Sequence, residues 1–284
     1  MRLTCLVTGA NAGIGRAAAQ MLAEAGHRVL LGCRDRARGD AAAHQLRLAV
    51  AEAEVSVLDL DMSLRRSIRE AAARVDRLDV LIHNAAYFDI RNKVRTETLE
   101  GIETTWATNY LGPALLTELL LPVLMDSESA RVIAVTSKGL MLFPWLSVDL
   151  DDPEARRRRF SVSGAYYHSK LAHLTWMLNQ AERWRTSRLL FHGVRVTNVK
   201  IDLERYPGLP WTRRAMYAVK SAFSISPAEM ARTYVWLATE DSGRIGTGGY
   251  WDGIGKPAPV SRWASSSENR LGLDALTRRQ LQLD

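Results

Sequence analysis

The sequence predicts an α/β fold with one doubly wound parallel sheet and helices on both faces. Short apolar runs alternate with stretches of helical periodicity, which is typical of strand–helix–strand units and a parallel sheet. The runs are apolar throughout, as expected for strands covered on both sides. The chain has 284 residues, of which 47% are hydrophobic, and shows no linker or repeat, so residues 1–284 are predicted to form a single domain.

The elements are predicted from hydrophobic periodicity and from helix-capping signals. The expected strands are Leu3–Val7, Arg28–Gly32, Glu54–Leu58, Asp79–His83, Arg131–Thr136, Arg195–Val199 and a late one near Gly249–Asp252. The expected helices between them are Gly13–Ala25, Ala41–Val50, Ser63–Val75, Leu99–Met125 and Ala165–Trp184. One further helix is predicted to start at Ser226, where Pro227 and Glu229 complete a capping box, and to end near Thr239.

Composition and charge exclude several classes of protein. The net charge of +7 comes mostly from scattered arginines, and the densest run, Arg156–Arg159, follows acidic residues and is interpreted as a solvated loop. No aromatic residues are interleaved with it, so no nucleic-acid partner is expected. No apolar stretch reaches 18 residues, so no membrane span is expected either. The positive charge is better suited to attracting an anionic cofactor.

The two cysteines, Cys5 and Cys33, lack metal-ligand spacing, so no metal site is predicted. Both are expected to be small buried residues near strand ends, in a reducing compartment. No signal peptide is recognisable at the N-terminus. A cytoplasmic location is the expectation.

A glycine-rich turn follows the first strand and opens a helix at Thr8–Gly15. Glycine permits a tight turn and lets the backbone approach a pyrophosphate, while the helix N-terminus offers free N–H groups. The order strand, glycines, helix therefore predicts a Rossmann-type dinucleotide site rather than a plain turn. The residues assigned to it are Gly9, Asn11, Gly13, Ile14, Gly15 and Arg16.

The end of the second strand indicates NADP(H) rather than NAD(H). Sites for NAD(H) usually place an acid there for the ribose hydroxyls, and Cys33 cannot take that role. Arg34 can pair with a 2′-phosphate, with Arg16 as a second cation. The alternative is that Arg34 is an ordinary surface residue.

Tyr166 and Lys170 lie four residues apart in a predicted helix, which puts them on one face. A nearby ammonium is expected to lower the pKa of a tyrosine, so the pair is a candidate acid/base unit. Tyr167 has no such partner, because Leu171 occupies its corresponding position. Ser137, just past the fifth strand, sits where open α/β sheets bind ligands.

Taken together in this order, the motifs resemble those of the short-chain dehydrogenase/reductase superfamily, and within it the retinol-dehydrogenase-like branch, over nearly the whole chain. The matching segments are Thr8–Gly15, Gly32–Asp35, Leu58–Leu60, His83–Ala86, Asn109–Gly112 and Ala165–Ala172. Within Leu58–Leu60 the resemblance places Asp59 toward the adenine amine, with Leu60 beside it.

The resemblance also implies roles for the catalytic residues. Tyr166 would donate or accept the proton, and Lys170 would lower its pKa and hold the nicotinamide ribose. Ser137 would polarise the substrate oxygen, Asn109 would support a water-linked relay to Lys170, and Asn84 would lie against the cofactor ribose. The cofactor itself supplies the hydride chemistry.

The sequence departs from the family after the sixth strand, where Lys200-Ile201-Asp202 stands in place of a Pro-Gly pair that contacts the nicotinamide. His83 and Ala86 are milder departures. The stretch at about 200–225 is long and carries apolar residues, so we expect a mobile lid over a bulky, largely apolar substrate. Helical packing onto the domain and a membrane-surface helix are the alternatives.

These observations predict an NADP(H)-dependent oxidoreductase, acting as a ketoreductase or alcohol dehydrogenase on a small-molecule carbonyl or alcohol. The alternatives are an NADP(H)-binding redox sensor or scaffold without turnover, and a dinucleotide-using isomerase or dehydratase. The substrate's identity, the direction of reaction and the oligomeric state are left open, a homo-oligomer among the possibilities.

Overall fold

The computed structural model describes residues 2–89, 93–200 and 224–283. Within them eight strands form one sheet, in the order β3-β2-β1-β4-β5-β6-β7-β8. The strands are β1 Thr4–Thr8, β2 Arg28–Cys33, β3 Val55–Asp59, β4 Val80–His83, β5 Arg131–Ser137, β6 Leu190–Val196, β7 Tyr250–Gly253 and β8 Lys256–Pro257. Neighbours from β3 to β7 pair in parallel, and β8 is antiparallel to β7. The predicted doubly wound α/β fold is confirmed.

Helices cover both faces of the sheet. They are α1 Gly13–Glu24, α2 Arg36–Ala49, α3 Arg65–Ala72, α4 Thr104–Trp106, α5 Gly112–Met125, α6 Val162–Arg183, α7 Pro227–Thr239, α8 Ser242–Ile245, α9 Arg262–Ser265 and α10 Ser267–Leu281. Leu6 belongs to the apolar cluster beneath α3, α5, α6 and α10, whereas its neighbour Val7 belongs to the cluster beneath α1, α2 and α7. Successive side chains of a strand point to opposite faces, so a strand buried on both sides must be apolar throughout.

Most predicted strands agree with the structure to within two residues, but the sixth is wrong. β6 runs Leu190–Val196 rather than Arg195–Val199, and it pairs with all seven residues of β5. The apolar pattern of β6 is interrupted by His192, Gly193 and Arg195, so the sequence did not reveal where the strand begins. Both cysteines are buried, as predicted.

The predicted helix Leu99–Met125 is also corrected, since the structure breaks it into α4, a π-helical turn over Ala107–Leu111, and α5. The Glu103 carboxylate caps α4 by accepting hydrogen bonds from the amides of Thr105 and Trp106. At Gly112 the chain passes so close to the carbonyl oxygen of Met62 that a Cβ would collide with it. The π-helical turn contains Asn109, and such turns often mark functional positions.

The C-terminal helix α10 was not predicted, and it packs against α6 and the π-helical turn. The Tyr110 hydroxyl bonds to Thr277, and the Trp106 indole donates to the Gln280 side-chain oxygen at 3.0 Å. The sequence of α10 does not indicate this packing role, because only a few of its residues are apolar and buried.

The predicted lid at about 200–225 lies almost wholly outside the described residues. Its two ends are described and lie together: Lys200 N donates to Ile225 O at 3.0 Å, and Ile225 N donates to Asn198 O at 3.0 Å. No helix in the described parts of the chain is long and apolar enough to cross a membrane.

Gly112→Ala should destabilise the protein by about 1–3 kcal/mol, because the added methyl group meets rigid backbone. Gly272→Ala is the matched control: it is also helical, and its new Cβ would meet only the end of the flexible Leu150 side chain. That variant should be neutral, or stabilised by up to about 1 kcal/mol through helix propensity. Urea unfolding of both measures the difference, and equal stabilities would contradict the close approach at Gly112.

Candidate functional site

The glycine turn between β1 and α1 has the geometry of an anion site. Gly9 and Gly13 adopt φ values of +66° and +60°, which L side chains rarely tolerate. Ala12 occupies the N-cap position of α1, so no side chain caps the helix, and its first turn carries no acid. Its N–H groups and its positive dipole end are therefore free for a negatively charged ligand.

Gly15 and Asn84 brace this turn. Asn84 Nδ2 donates to Thr8 O at 2.9 Å and to Gly9 O at 3.3 Å, which joins the end of β4 to the turn. A Cβ at Gly15 would collide with the Asn84 amide and would lie 2.7 Å from Gly9 O. Gly15 is therefore needed for close packing, and Asn84 is positioned by the backbone that it supports.

A cleft of about 970 Å³ opens at the carboxyl ends of the strands, where the chain order reverses between β1 and β4. Such switch points are where open α/β sheets bind ligands. The predicted residues in its lining are Gly9, Asn11, Gly13, Ile14, Arg16, Arg34, Leu60 and Asn84. Lining residues that the sequence did not single out include Arg38, Asp61, Tyr87, Thr108 and Val199.

Three arginines lie around the cleft beside the end of β2: Arg16, Arg34 and Arg38. Arg34 is exposed and has no ion-pair partner among the described residues. The neighbouring acid, Asp35, is already engaged, because it caps α2 by accepting from Arg38 N at 3.1 Å and pairs with the Arg38 side chain at 3.4 Å. The free positive charge at this edge therefore comes from Arg34 and from Arg16, whose side chain also has no ion-pair partner among the described residues.

Asp59 is not among the described residues that line the cleft. Its Oδ2 pairs with Arg36 at 3.3 Å and with Arg74 at 3.9 Å. Its Oδ1 is buried and has no hydrogen-bond partner in the described structure. An unpartnered buried acceptor is compatible with an amine donor, so the adenine contact stays a prediction.

Tyr166 and Lys170 project from the first half of α6. Ser161 caps this helix by accepting from Gly164 N at 3.1 Å. Lys170 is 1% exposed, and its Nζ donates to the carbonyl oxygen of Val135 at 2.7 Å. The same Nζ lies 5.9 Å from the centre of the Tyr166 ring. Burial lowers the pKa of Lys170 to about 7.

Tyr166 departs from the expected electrostatics. Burial raises the pKa of Tyr166 to about 12, although its hydrogen bond with Ser137 acts in the opposite direction. The expectation that Lys170 would lower this pKa is not met in this structure, because desolvation of the phenolate is the largest effect and Lys170 is not among the groups that lower the pKa. The three predicted residues Ser137, Tyr166 and Lys170 are nevertheless brought together at the carboxyl end of β5.

Asn109 holds the surroundings of this group in place. Its Oδ1 accepts from Tyr87 N at 2.6 Å, and its Nδ2 donates to Tyr87 O at 3.0 Å and to Ser169 Oγ at 3.1 Å. Ser169 Oγ in turn donates to the backbone oxygen of Tyr166 at 2.7 Å. The Asn109 side chain thus ties the segment after β4 to α6, and its relay role stays a prediction.

Two aromatic contacts that the sequence did not indicate involve Tyr166 and its neighbour Tyr167. Phe88 packs on Tyr166 with ring centres 4.6 Å apart. Tyr167 packs on Phe143 at 5.1 Å and lies against Gly139, in the 3₁₀ turn after Ser137. Because Tyr87 lines the cleft and Phe88 touches Tyr166, this short segment connects the cleft with the tyrosine.

A pair of buried histidines lies behind Lys170. His83 bonds Thr117 Oγ1 at 2.7 Å, and its ring centre is 5.6 Å from that of His173. Burial, with a contribution from Lys170, lowers the pKa of His83 to about 3. The pKa of His173 is likewise well below its usual value, because the ring is buried. Both rings are neutral at physiological pH, so they add no charge beside the lysine.

Comparison with known proteins agrees with this geometry. A family model described as short chain dehydrogenase matches residues 3–148. Retinol dehydrogenase 14 of Mus musculus is 35% identical over 83% of this chain and 73% of its own length. Retinol dehydrogenase 13 of Homo sapiens is 30% identical over 99% of this chain and 88% of its own.

A similar solved structure, of an uncharacterized protein from Mycobacterium Paratuberculosis, is 28% identical with a TM-score of 0.75, covering 99% of this chain and 93% of that one. The fold and the sequence matches define an oxidoreductase of the nicotinamide-dinucleotide class. The chain belongs to the short-chain dehydrogenase family, in its retinol-dehydrogenase-like branch.

The buried lysine makes stability depend on pH in a specific direction. Below pH 7 the folded chain must hold a buried ammonium at Lys170, which destabilises it. Between pH 7 and 10.5 the unfolded chain binds a proton at Lys170 that the folded chain does not, so this penalty is progressively relieved and stability rises with pH. Lys170→Met removes that dependence. The unfolding free energy of the variant relative to wild type should fall by about 2 kcal/mol between pH 7 and pH 9.

Urea unfolding at the two pH values measures this change. The variant also loses the hydrogen bond to Val135 O. That loss lowers the unfolding free energy by the same amount at both pH values, so it does not affect the difference between them. The same substitution at the exposed Lys256 should show no such change. A Lys170→Met difference that is independent of pH would contradict the lowered pKa.

Proposed function

We propose that the protein is an NADP(H)-dependent oxidoreductase that interconverts a carbonyl and an alcohol on a bulky, largely apolar small molecule. The observation that carries the proposal is the convergence of Ser137, Tyr166 and Lys170 at the end of β5, close to a cleft built around a glycine turn. The named relatives support the substrate class, since retinol is itself a bulky, largely apolar alcohol.

The residues present fit a nicotinamide dinucleotide. Gly9 and Gly13 keep the turn free of side chains, and the uncapped start of α1 offers N–H groups to a pyrophosphate. Leu60 would lie beside the adenine, and Lys170 and Asn84 would face the ribose next to the nicotinamide. The dinucleotide supplies the hydride when it is bound.

The preference for NADP(H) rests on charge. Arg34 is a free, exposed cation at the end of β2, and Asp35 is held in the cap of α2. A 2′-phosphate placed between Arg34 and Arg16 would gain charge-assisted hydrogen bonds that a hydroxyl cannot provide. The end of β2 offers no uncommitted carboxylate that could accept a hydrogen bond from the 2′-hydroxyl of NAD(H).

Proton transfer would run through Tyr166. With a pKa near 12 its hydroxyl keeps its proton at neutral pH, so it is suited to protonate a carbonyl oxygen as that oxygen gains charge. Ser137 would hold the same oxygen by a hydrogen bond. Lys170, with a pKa near 7, would be readily charged beside a phenolate, because opposite charges favour each other's ionised form.

The second candidate is a dinucleotide-binding sensor or scaffold without turnover. The observation favouring it is Ile201-Asp202, which replaces the Pro-Gly pair of the family and lies outside the described residues. NADPH oxidation with an apolar aldehyde such as decanal and a panel of bulky ketones separates the two. Tight NADPH binding without turnover of any panel member would favour the sensor.

NADPH should bind at least about tenfold tighter than NADH, a difference of about 1.4 kcal/mol. Arg34→Ala should remove most of this preference by weakening NADPH alone, since NADH has no phosphate at this position. Fluorescence titration gives both affinities. Arg185→Ala, which removes an exposed arginine at the far end of α6, is the charge-matched control and should leave the preference unchanged. Equal affinities in the wild type would refute the assignment.

Tyr166→Phe should lower turnover by about 10²-fold or more, while NADPH affinity stays within about twofold, because only the proton-donating hydroxyl is removed. Tyr167→Phe removes a neighbouring hydroxyl and keeps the ring packed on Phe143, so its effect should be small. Steady-state kinetics with the best carbonyl of the panel measure both variants. The reverse ranking would show that the proton donor has been misassigned.

A further inference from the structure

A second cavity, of about 800 Å³, lies on the α6 side of the sheet. It is enclosed by the loop that follows Ser137, by α6, by the ends of β6 and β7, and by the segment leading into α9. Ser137, Tyr166, Lys170 and the glycine turn do not appear among the described residues of its lining. The described lining of the cavity therefore shares no residue with the proposed dinucleotide and proton-transfer groups.

Its walls are apolar and its mouth is open. Leu140, Leu146, Leu174 and Val260 supply aliphatic wall, and Trp145 is 79% exposed at the surface. Met141, which is 51% exposed, lines the same cavity, and grouped exposed apolar side chains are typical of a ligand-binding surface. The volume lies within the range of small-molecule sites, which are mostly apolar with a few placed polar groups.

The polar groups that matter here are two arginines. Arg195 is 4% exposed, and its Nε and Nη2 bind the Asp252 carboxylate at 3.1 and 2.8 Å. Its Nη1 is buried without a hydrogen-bond partner in the described structure. Arg262 lines the same cavity, is exposed and has no ion-pair partner among the described residues.

The other polar lining residues are engaged within the fold. Ser261 Oγ accepts from Ala264 N at 3.2 Å, and Asn269 Nδ2 donates to Trp263 O at 3.0 Å. The positive charge of Arg195 is only partly neutralised, because the single Asp252 carboxylate is shared between Arg195 and Lys138, with Lys138 at 3.7 Å. The lining of this apolar cavity thus includes one arginine with an unsatisfied buried guanidinium nitrogen and one free cation, and no acid appears in its described part.

We propose that this cavity binds an amphipathic carboxylate, a molecule with an aliphatic body and one anionic head group. The body would lie against Leu140, Leu174 and Val260 and cover Trp145. The head group would accept a hydrogen bond from Arg195 Nη1 and form an ion pair with Arg262. A buried donor left without an acceptor costs free energy, and a carboxylate would both satisfy it and restore charge balance.

Isothermal titration calorimetry with decanoate and decan-1-ol on the full chain tests this directly, since the two differ only in the head group. Decanoate should bind at least about tenfold tighter, the gain expected for a hydrogen bond to a charged group. Arg262→Ala should weaken decanoate by about threefold and leave decan-1-ol unchanged. Val260→Trp should weaken both ligands, because it fills the cavity.

Removing Arg195 alone would leave the Asp252 carboxylate without its main ion-pair partner. The variant for this site is therefore Arg195→Met combined with Asp252→Asn. It should lose about tenfold or more in decanoate affinity. If it fails to fold, Arg262→Ala and Val260→Trp still decide the matter, as both change positions that are exposed or only partly buried.

The competing location for an anion is the arginine-lined dinucleotide cleft, so Arg34→Ala is the control. Decanoate affinity should be unchanged in that variant. The proposal is overturned if decanoate and decan-1-ol bind alike, or if decanoate shows no binding up to about 1 mM. Loss of decanoate binding in Arg34→Ala, with normal binding in the cavity variants, would overturn it as well.

Discussion

The hydrogen bond from Lys170 Nζ to the carbonyl oxygen of Val135 holds α6 against β5, and the arrangement of the candidate site depends on it. At 2.7 Å, and with the amine almost wholly removed from water, this contact fixes the helix face that carries Tyr166 relative to the strand that ends in Ser137. Burial makes the ammonium form costly, which is why the pKa of the lysine lies near 7. The same burial keeps the tyrosine protonated, so one packing arrangement sets the protonation state of both groups.

A second set of polar contacts keeps this arrangement rigid without adding charge. Asn109 joins Tyr87 to Ser169, and Ser169 joins the backbone of Tyr166, so hydrogen bonds link the segment after β4 to the start of α6. The π-helical turn that contains Asn109 exists where Gly112 allows the chain to approach Met62. Neutral His83 and His173 fill the space behind the lysine, where a cation would raise its cost of protonation further.

The distribution of acids decides where positive charge remains available. Asp35 caps α2, and Asp252 is shared by Arg195 and Lys138, so these carboxylates are occupied within the fold. Arg16 and Arg34 at the dinucleotide cleft, and Arg262 at the second cavity, are left without ion-pair partners among the described residues. Both the NADP(H) and the carboxylate proposals rest on these unpaired cations beside the two cavities.

By itself the sequence determined the parallel α/β sheet, the glycine turn and the grouping of Ser137, Tyr166 and Lys170. These depend on local order and spacing: apolar runs buried on both faces, a strand–glycine–helix succession, and four-residue spacing on one helix face. Tertiary structure decided the early start of β6, the break in the helix at Ala107–Leu111 and the covering helix α10. Each of these depends on partners distant in the chain, such as β5 for β6 and Met62 for Gly112. Tertiary structure also reversed the expected pKa shift of Tyr166, because desolvation is a property of the packed surroundings, and no spacing of charges along the chain reveals it.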